Sequence, residues 1–174
     1  MRLMFVTGSL CYGGAERHSI TIMNALAKRA HECHAVYIKS GADLLDRIRL
    51  RDGATAQSLD AARYFDRFAL TRFADHIARI EPCAIVAANP YALMYATLAV
   101  RLARKRVPLI VTFHSNRLLG WKEPLQMLAY RLLFWAAACS VFVCEKQRRY
   151  WMRRGVFFAQ KRSDLQRREH GRVQ

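Results

Sequence analysis

Glycine and proline are scarce, 8 and 4 in 174 residues, which excludes collagen-like and linker-like composition. The five cysteines (Cys11, Cys33, Cys83, Cys139, Cys144) are odd in number and form no CxxC pair. That argues against a disulfide framework and for a reducing compartment, the cytoplasm. No apolar stretch reaches the roughly 20 residues that span a bilayer. The longest, Leu132 to Cys144, is bracketed by Arg131 and Glu145, and the N-terminal run breaks at Thr7-Gly8-Ser9, too early for a signal peptide. Acidic side chains are also few: 13 Asp and Glu face 29 Lys and Arg, a formal charge of +16. Such a balance raises nucleic acid as a partner, but the chain carries neither a zinc-finger nor an RNP signature, so nucleic acid is not expected.

Apolar residues, by contrast, are plentiful at 53%, enough for one domain with a substantial core. Leu3 to Val6 is a continuous apolar run, the pattern of a strand buried on both faces. From Ala15 to Ala30, Ile20, Met23, Leu26 and Ala27 recur at helical steps. The alternation repeats with strands at Cys33 to Lys39, Thr55 to Leu59, Cys83 to Ala88, Pro108 to Phe113 and Ser140 to Cys144. Helices are expected at Asp43 to Leu50, Phe68 to Ile80, Tyr91 to Arg104, Pro124 to Ala138 and Lys146 to Arg154. Strands alternating with helices and lacking hairpin signals give an α/β domain, a Rossmann-like doubly wound parallel sheet with helices on both faces. This domain is expected over residues 1–155, followed by an irregular basic tail at 156–174.

In such sheets ligands lie beyond the carboxyl ends of the strands. Four segments are therefore candidates: Thr7 to Glu16, Ala88 to Pro90, His114 to Arg117, and Cys144-Glu145. Gly8 and Gly13 have P-loop spacing, but Gly14-Ala15 stands where Lys-Ser/Thr is required, which removes an ATPase reading. GxGxxG is also missing, and Lys39-Ser40 stands where a dinucleotide site needs an acid. His114 directly follows a strand, beside Thr112, Ser115 and Asn116, and can hydrogen-bond a sugar hydroxyl or a phosphate. His31, Cys33 and His34 suggest a metal, yet alternation puts Cys33 and His34 on opposite faces and no second ligand cluster exists, so no metal is expected. No GxSxG elbow supports a nucleophilic triad. Aromatic residues interleaved with arginines from Arg117 to Arg154 suit either a solvated basic helix face or an anionic membrane surface.

Gly13-Gly14-Ala15-Glu16-Arg17-His18 after the first strand, the Asn89-Pro90 turn, Val111-Thr112-Phe113-His114-Ser115, and Val143-Cys144-Glu145 before a basic helix together resemble the N-terminal domain of family 4 glycosyltransferases, retaining enzymes of GT-B architecture. The resemblance implies that this domain holds the acceptor while a second Rossmann-like domain holds the nucleotide-sugar, a UDP- or GDP-sugar. It further implies that Gly13 and Gly14 lie near the donor phosphates and that His114 contacts the reacting sugar as the catalytic residue. Glu16, Arg17, Asn89, Ser115, Asn116 and Glu145 would then be acceptor-side residues. Cys144 replaces a frequent serine. The acceptor implied is a sugar or a lipid-linked glycan, with no tightly bound cofactor and no metal.

No counterpart of the family's second domain follows in this sequence, so the isolated chain is expected to be inactive. Codons permitted for Arg162 to Gln174, read one base later, can encode E-V-I-Y-N-G-V-N-T-G-G-F, which resembles the family's interdomain linker. The reading frame is accordingly expected to shift near Lys161 or Arg162. Two function classes stay open: the acceptor half of a cytoplasmic glycosyltransferase lying peripherally on the inner face of the cell membrane, and a non-catalytic module that docks on an anionic membrane or a separate donor domain.

Overall fold

A computed structural model describes residues 1–114, 133–142 and 144–153. The strands are β1 (Arg2–Thr7), β2 (Glu32–Tyr37), β3 (Ala56–Ser58), β4 (Ala84–Ala88), β5 (Leu109–Phe113) and β6 (Cys139–Phe142). All pairings are parallel, in the order β3-β2-β1-β4-β5-β6. The helices are α1 (Gly14–Lys28), α2 (Arg67–Ile80), α3 (Asn89–Leu102) and α4 (Glu145–Arg153). The expected doubly wound architecture is present, and its order reverses between β1 and β4, which opens a crevice at their carboxyl ends.

Strand alternation divides the core into two faces. On one, Phe5, Cys33 and Ala35 meet Met23 of α1. On the other, Met4, Val6, Ile85 and Val111 pack against the α2 and α3 stripes that include Phe73, Ile77, Leu93 and Ala96. Helix α4 is part of this second face: Trp151 is 1% exposed, with its ring centroid 5.3 Å from that of Phe113 and 6.3 Å from that of Phe134. Truncating a side chain this buried typically costs about 3–5 kcal/mol.

Local chemistry sets the helix ends. Asp66 caps α2 by accepting from the amides of Phe68 (2.9 Å) and Ala69 (3.2 Å), and the helix stops at Glu81, which takes left-handed φ of 50° just before Pro82. The expected helix at 43–50 is instead a single 3-10 turn, Leu45–Arg47. Asn24 of α1 explains the difference. Its side chain donates to the Arg47 carbonyl and accepts from the Arg49 amide, both at 2.8 Å, drawing off backbone groups that a helix would pair internally. Residues 133–136 are helical as expected, whereas the earlier part of that predicted helix and the 156–174 tail lie outside the described residues.

Candidate functional site

Strand β1 delivers the chain to Gly8, and α1 begins six residues later with Gly13 as its N-cap. Gly13 has extended φ of −147° and offers no capping side chain. The Glu16 carboxylate folds back into the space that a side chain at position 13 would occupy, placing a negative charge at the positive end of α1. A Cβ at Gly14 would meet nothing within 4 Å, so the helix start is open on that side. Gly8 is backed by Tyr91, whose Cδ1 would lie 3.6 Å from a Cβ at that position.

Strand β4 passes straight into α3, so the expected Asn89-Pro90 turn is the first turn of a helix. Asn89 itself carries the bend, with left-handed φ of 73°. This conformation is tolerated better by Asn than by most residues, and it leaves the Asn89 Oδ1 accepting the His114 amide at 3.1 Å. Asn89 thus ties the carboxyl ends of β4 and β5 together.

His114 is half-buried, and its Nε2 lies 3.2 Å from the Thr112 hydroxyl. The exposed His18 ring from α1 meets it edge-on, with centroids 4.8 Å apart. Burial first, and the neighbouring His18 second, lower the His114 pKa below the ordinary histidine value. A neutral imidazole therefore faces the crevice at neutral pH, able to offer one hydrogen bond without charge. His18 is a member of this site that strand-end reasoning does not single out. The available signal is its position four residues after Gly14, which puts both on one side of α1.

A family model for Glycosyltransferase Family 4 matches residues 12–160. The chain belongs to Glycosyltransferase Family 4. Its fold is shared with three solved glycosyltransferase structures. The lipopolysaccharide outer core galactosyltransferase WaaB, in apo form, is 12% identical with TM-score 0.67, over 90% of this chain and 43% of that one. HepE from Anabaena in complex with UDP and glucose is 17% identical with TM-score 0.66, over 89% and 41%. Sucrose-phosphate synthase from Thermosynechococcus elongatus is 14% identical with TM-score 0.64, over 88% and 45%. The chain thus spans about two fifths of the length of the structures it matches. No curated relative matches it by sequence.

Within this family 4 domain, Gly13, Gly14, Glu16, Asn89 and His114 all stand at the carboxyl edge of the sheet. Arg17 is exposed, with its guanidinium 5.6 Å from the Tyr12 ring centroid, and Arg47 approaches the same ring at 5.7 Å. Glu145 opens α4 and is engaged by its own helix, with Arg148 at 2.7 Å and Arg149 at 3.4 Å. Those contacts hold its carboxyl below the ordinary range. Ser115 and Asn116 lie outside the described residues. Among the described residues no group of three His, Cys, Asp or Glu is placed to hold a metal, and no helix is long and apolar enough to cross a membrane. Cys33 and His34 do point to opposite faces: Cys33 packs with Phe5 and Met23, and His34 reaches Thr55.

Proposed function

We propose that this chain is the acceptor-side half of a retaining glycosyltransferase that moves a sugar from a UDP- or GDP-sugar to a glycan or lipid-linked acceptor, and that alone it does not catalyse transfer. The observation that carries this reading is a helix start open beside Gly14 on the same element as His18, whose ring meets the half-buried His114 across the crevice. In this reading the α1 amides face the donor diphosphate, while His114 hydrogen-bonds the reacting sugar and Asn89 keeps its backbone in place. Displacing the Glu16 carboxylate from the helix start accompanies donor binding, because two anions cannot share it. The departing diphosphate still needs cationic groups from a second domain to stabilise its charge. The UDP and glucose seen in HepE support this donor chemistry.

The chain works in the cytoplasm, peripherally on the inner face of the membrane. The family match ends at residue 160, beside Lys161, where a frame shift would lead into the linker string. Sequencing the coding DNA from codon 155 onward tests this directly: a one-base change opening a second Rossmann-like domain is expected, and an intact frame with no such domain favours the non-catalytic docking module. Incubating the 174-residue chain with UDP- and GDP-sugars and lipid-linked acceptors is expected to yield no transfer. Turnover would refute its inactivity.

A further inference from the structure

The loops that follow β1 and β2 are clipped together. The Leu10 amide donates to the Gly41 carbonyl at 2.7 Å and the Leu44 amide to the Leu10 carbonyl at 2.9 Å, while Leu10 and Leu44 are buried with Ile20 of α1. Glycine at position 41 permits this approach, since a Cβ there would press into the Cys11 thiol. Asn24 fixes the 3-10 turn from the α1 side through the Arg47 carbonyl and the Arg49 amide. The backbone of Arg47 is thereby held by long-range contacts, and that of Arg17 by the first turns of α1.

This clip delivers two uncompensated cations to one ring. The guanidiniums of Arg17 and Arg47 stand 5.6 and 5.7 Å from the Tyr12 centroid, within the roughly 6 Å over which an aromatic face attracts a cation. The ring positions them without neutralising them, and at 61% exposure it hides neither from water. Both guanidiniums are exposed, and neither donates a hydrogen bond or forms an ion pair among the described residues. Other arginines are engaged by the fold: Arg2 donates to the Ile80 carbonyl at 2.7 Å, Arg51 to the Ala27 carbonyl at 3.3 Å, and Arg148 grips Glu145. The neighbouring acids do not compensate. Glu16 folds back onto Gly13, and Asp43 and Asp46 form no ion pair among the described residues.

Two permanently charged forks of N–H donors match a compact group with several oxygens and more than one negative charge, which is a phosphate. Strand order puts the β2 loop on the other side of β1 from His114, which follows β5. A contact this exposed gains strength when the rest of the ligand is already anchored in the crevice, because the second contact is then intramolecular. We infer that Tyr12, Arg17 and Arg47 form a binding site for a phosphate group carried on a saccharide. That this saccharide is the acceptor rests on the proposed function; the phosphate site itself does not.

The test is a titration of the full chain, in phosphate-free buffer, with glucose 6-phosphate, glucose and inorganic phosphate, following the Tyr12 ring and the Arg17 and Arg47 Nε–H resonances. Glucose 6-phosphate is expected to move them saturably and glucose to leave them in place, with inorganic phosphate binding several-fold more weakly. Arg17→Gln and Arg47→Gln should each weaken glucose 6-phosphate binding by roughly tenfold. Neither should move the thermal midpoint, because neither head is bonded to the protein. Arg63→Gln, which removes an exposed charge elsewhere, should change binding less than twofold. No saturable shift, equal shifts with glucose, or an equal loss in Arg63→Gln overturns the site. Inorganic phosphate binding as tightly as glucose 6-phosphate overturns the saccharide carrier. In an enzyme completed by a donor domain, Arg47→Gln should raise KM for a phosphorylated acceptor more than it lowers kcat. An unmoved KM beside intact glucose 6-phosphate binding in the wild type would overturn the acceptor assignment and leave the phosphate site standing.

Discussion

Two histidine pairs in this domain look alike in geometry and differ in what surrounds them. His34 and His76 meet edge-on with centroids 6.3 Å apart at the β2–β3 edge, and His18 and His114 meet at 4.8 Å over the crevice. The first pair is closed. Arg79 donates to His76 Nδ1 at 2.9 Å, His76 Nε2 faces the Thr55 hydroxyl at 3.5 Å, that hydroxyl lies 3.0 Å from His34 Nδ1, and His34 Nε2 donates to Glu32 at 2.9 Å. The Thr55 amide also donates to His34 Nδ1, at 3.2 Å, so the tautomers of both rings are set by their partners. His34 is fully buried and His76 2% exposed, and every nitrogen serves the fold. The second pair, a half-buried His114 at a strand end and an exposed His18 near a helix start, leaves imidazole chemistry available to a ligand. Burial with complete pairing marks a structural histidine, and partial burial at a strand's carboxyl end marks a functional one.

Removing a ring from the closed pair should have the largest effect. His34→Ala leaves the Thr55 amide and hydroxyl without their acceptor and opens a cavity. A loss of about 3 kcal/mol is expected, read as a fall of several degrees in thermal midpoint. A loss under about 0.5 kcal/mol, the level of an ordinary surface change, would show the network to be decorative.

Acid should act on the same pair more gradually. Desolvation, then Arg79 and then His34, lower the His76 pKa to about 4, and His34 is lowered chiefly by burial. The unfolded chain binds protons below its ordinary histidine pKa of about 6.5 that the native state refuses, so stability is full above that pH and falls as pH drops toward 4. From His76 alone the loss is about 2–3 kcal/mol, measured by urea melts between pH 7 and 4. His76→Gln should flatten this slope, and an unchanged slope would place the proton uptake elsewhere.

The open pair should invert this pattern. In an enzyme completed by a donor domain, His114→Ala should reduce kcat by roughly 100-fold while changing stability by under about 1 kcal/mol. Gly14→Ala sharpens the contrast further. A methyl group there meets nothing and favours the helix, so about 0.5 kcal/mol of added stability is expected alongside weaker donor binding. Greater stability with unimpaired donor binding would remove Gly14 from the donor side of the crevice.

Much of this contrast is readable from sequence where the signal is local. Apolar runs and helical stripes locate the strands and helices, and His114 stands out because it directly follows Leu109–Phe113. The 43–50 segment misleads because Asn24, more than 20 residues earlier, takes its backbone groups. His76 hides for the same reason: its partners Thr55 and His34 lie on other elements, although its place on the Phe73 and Ile77 stripe marks it as inward-facing. Glu145 could have been recognised as engaged, since Arg148 and Arg149 follow at the three- and four-residue steps that let helix side chains pair.

The smallest expected effect bears most directly on how the open pair works. If His18 serves only to flank the crevice, replacing it leaves the His114 titration where it is. Its ring, however, adds to the burial that already lowers the His114 pKa, because a proton on one imidazole repels a proton on the other. His18→Gln should therefore raise the His114 pKa, observed by following imidazole resonances of the isolated domain through a pH titration. The shift should be upward and incomplete, leaving His114 still below an ordinary histidine, because burial, the larger cause, stays in place. An unmoved or lowered value would mean that His18 does not feel the charge on His114, and the two rings would then be neighbours without being a pair.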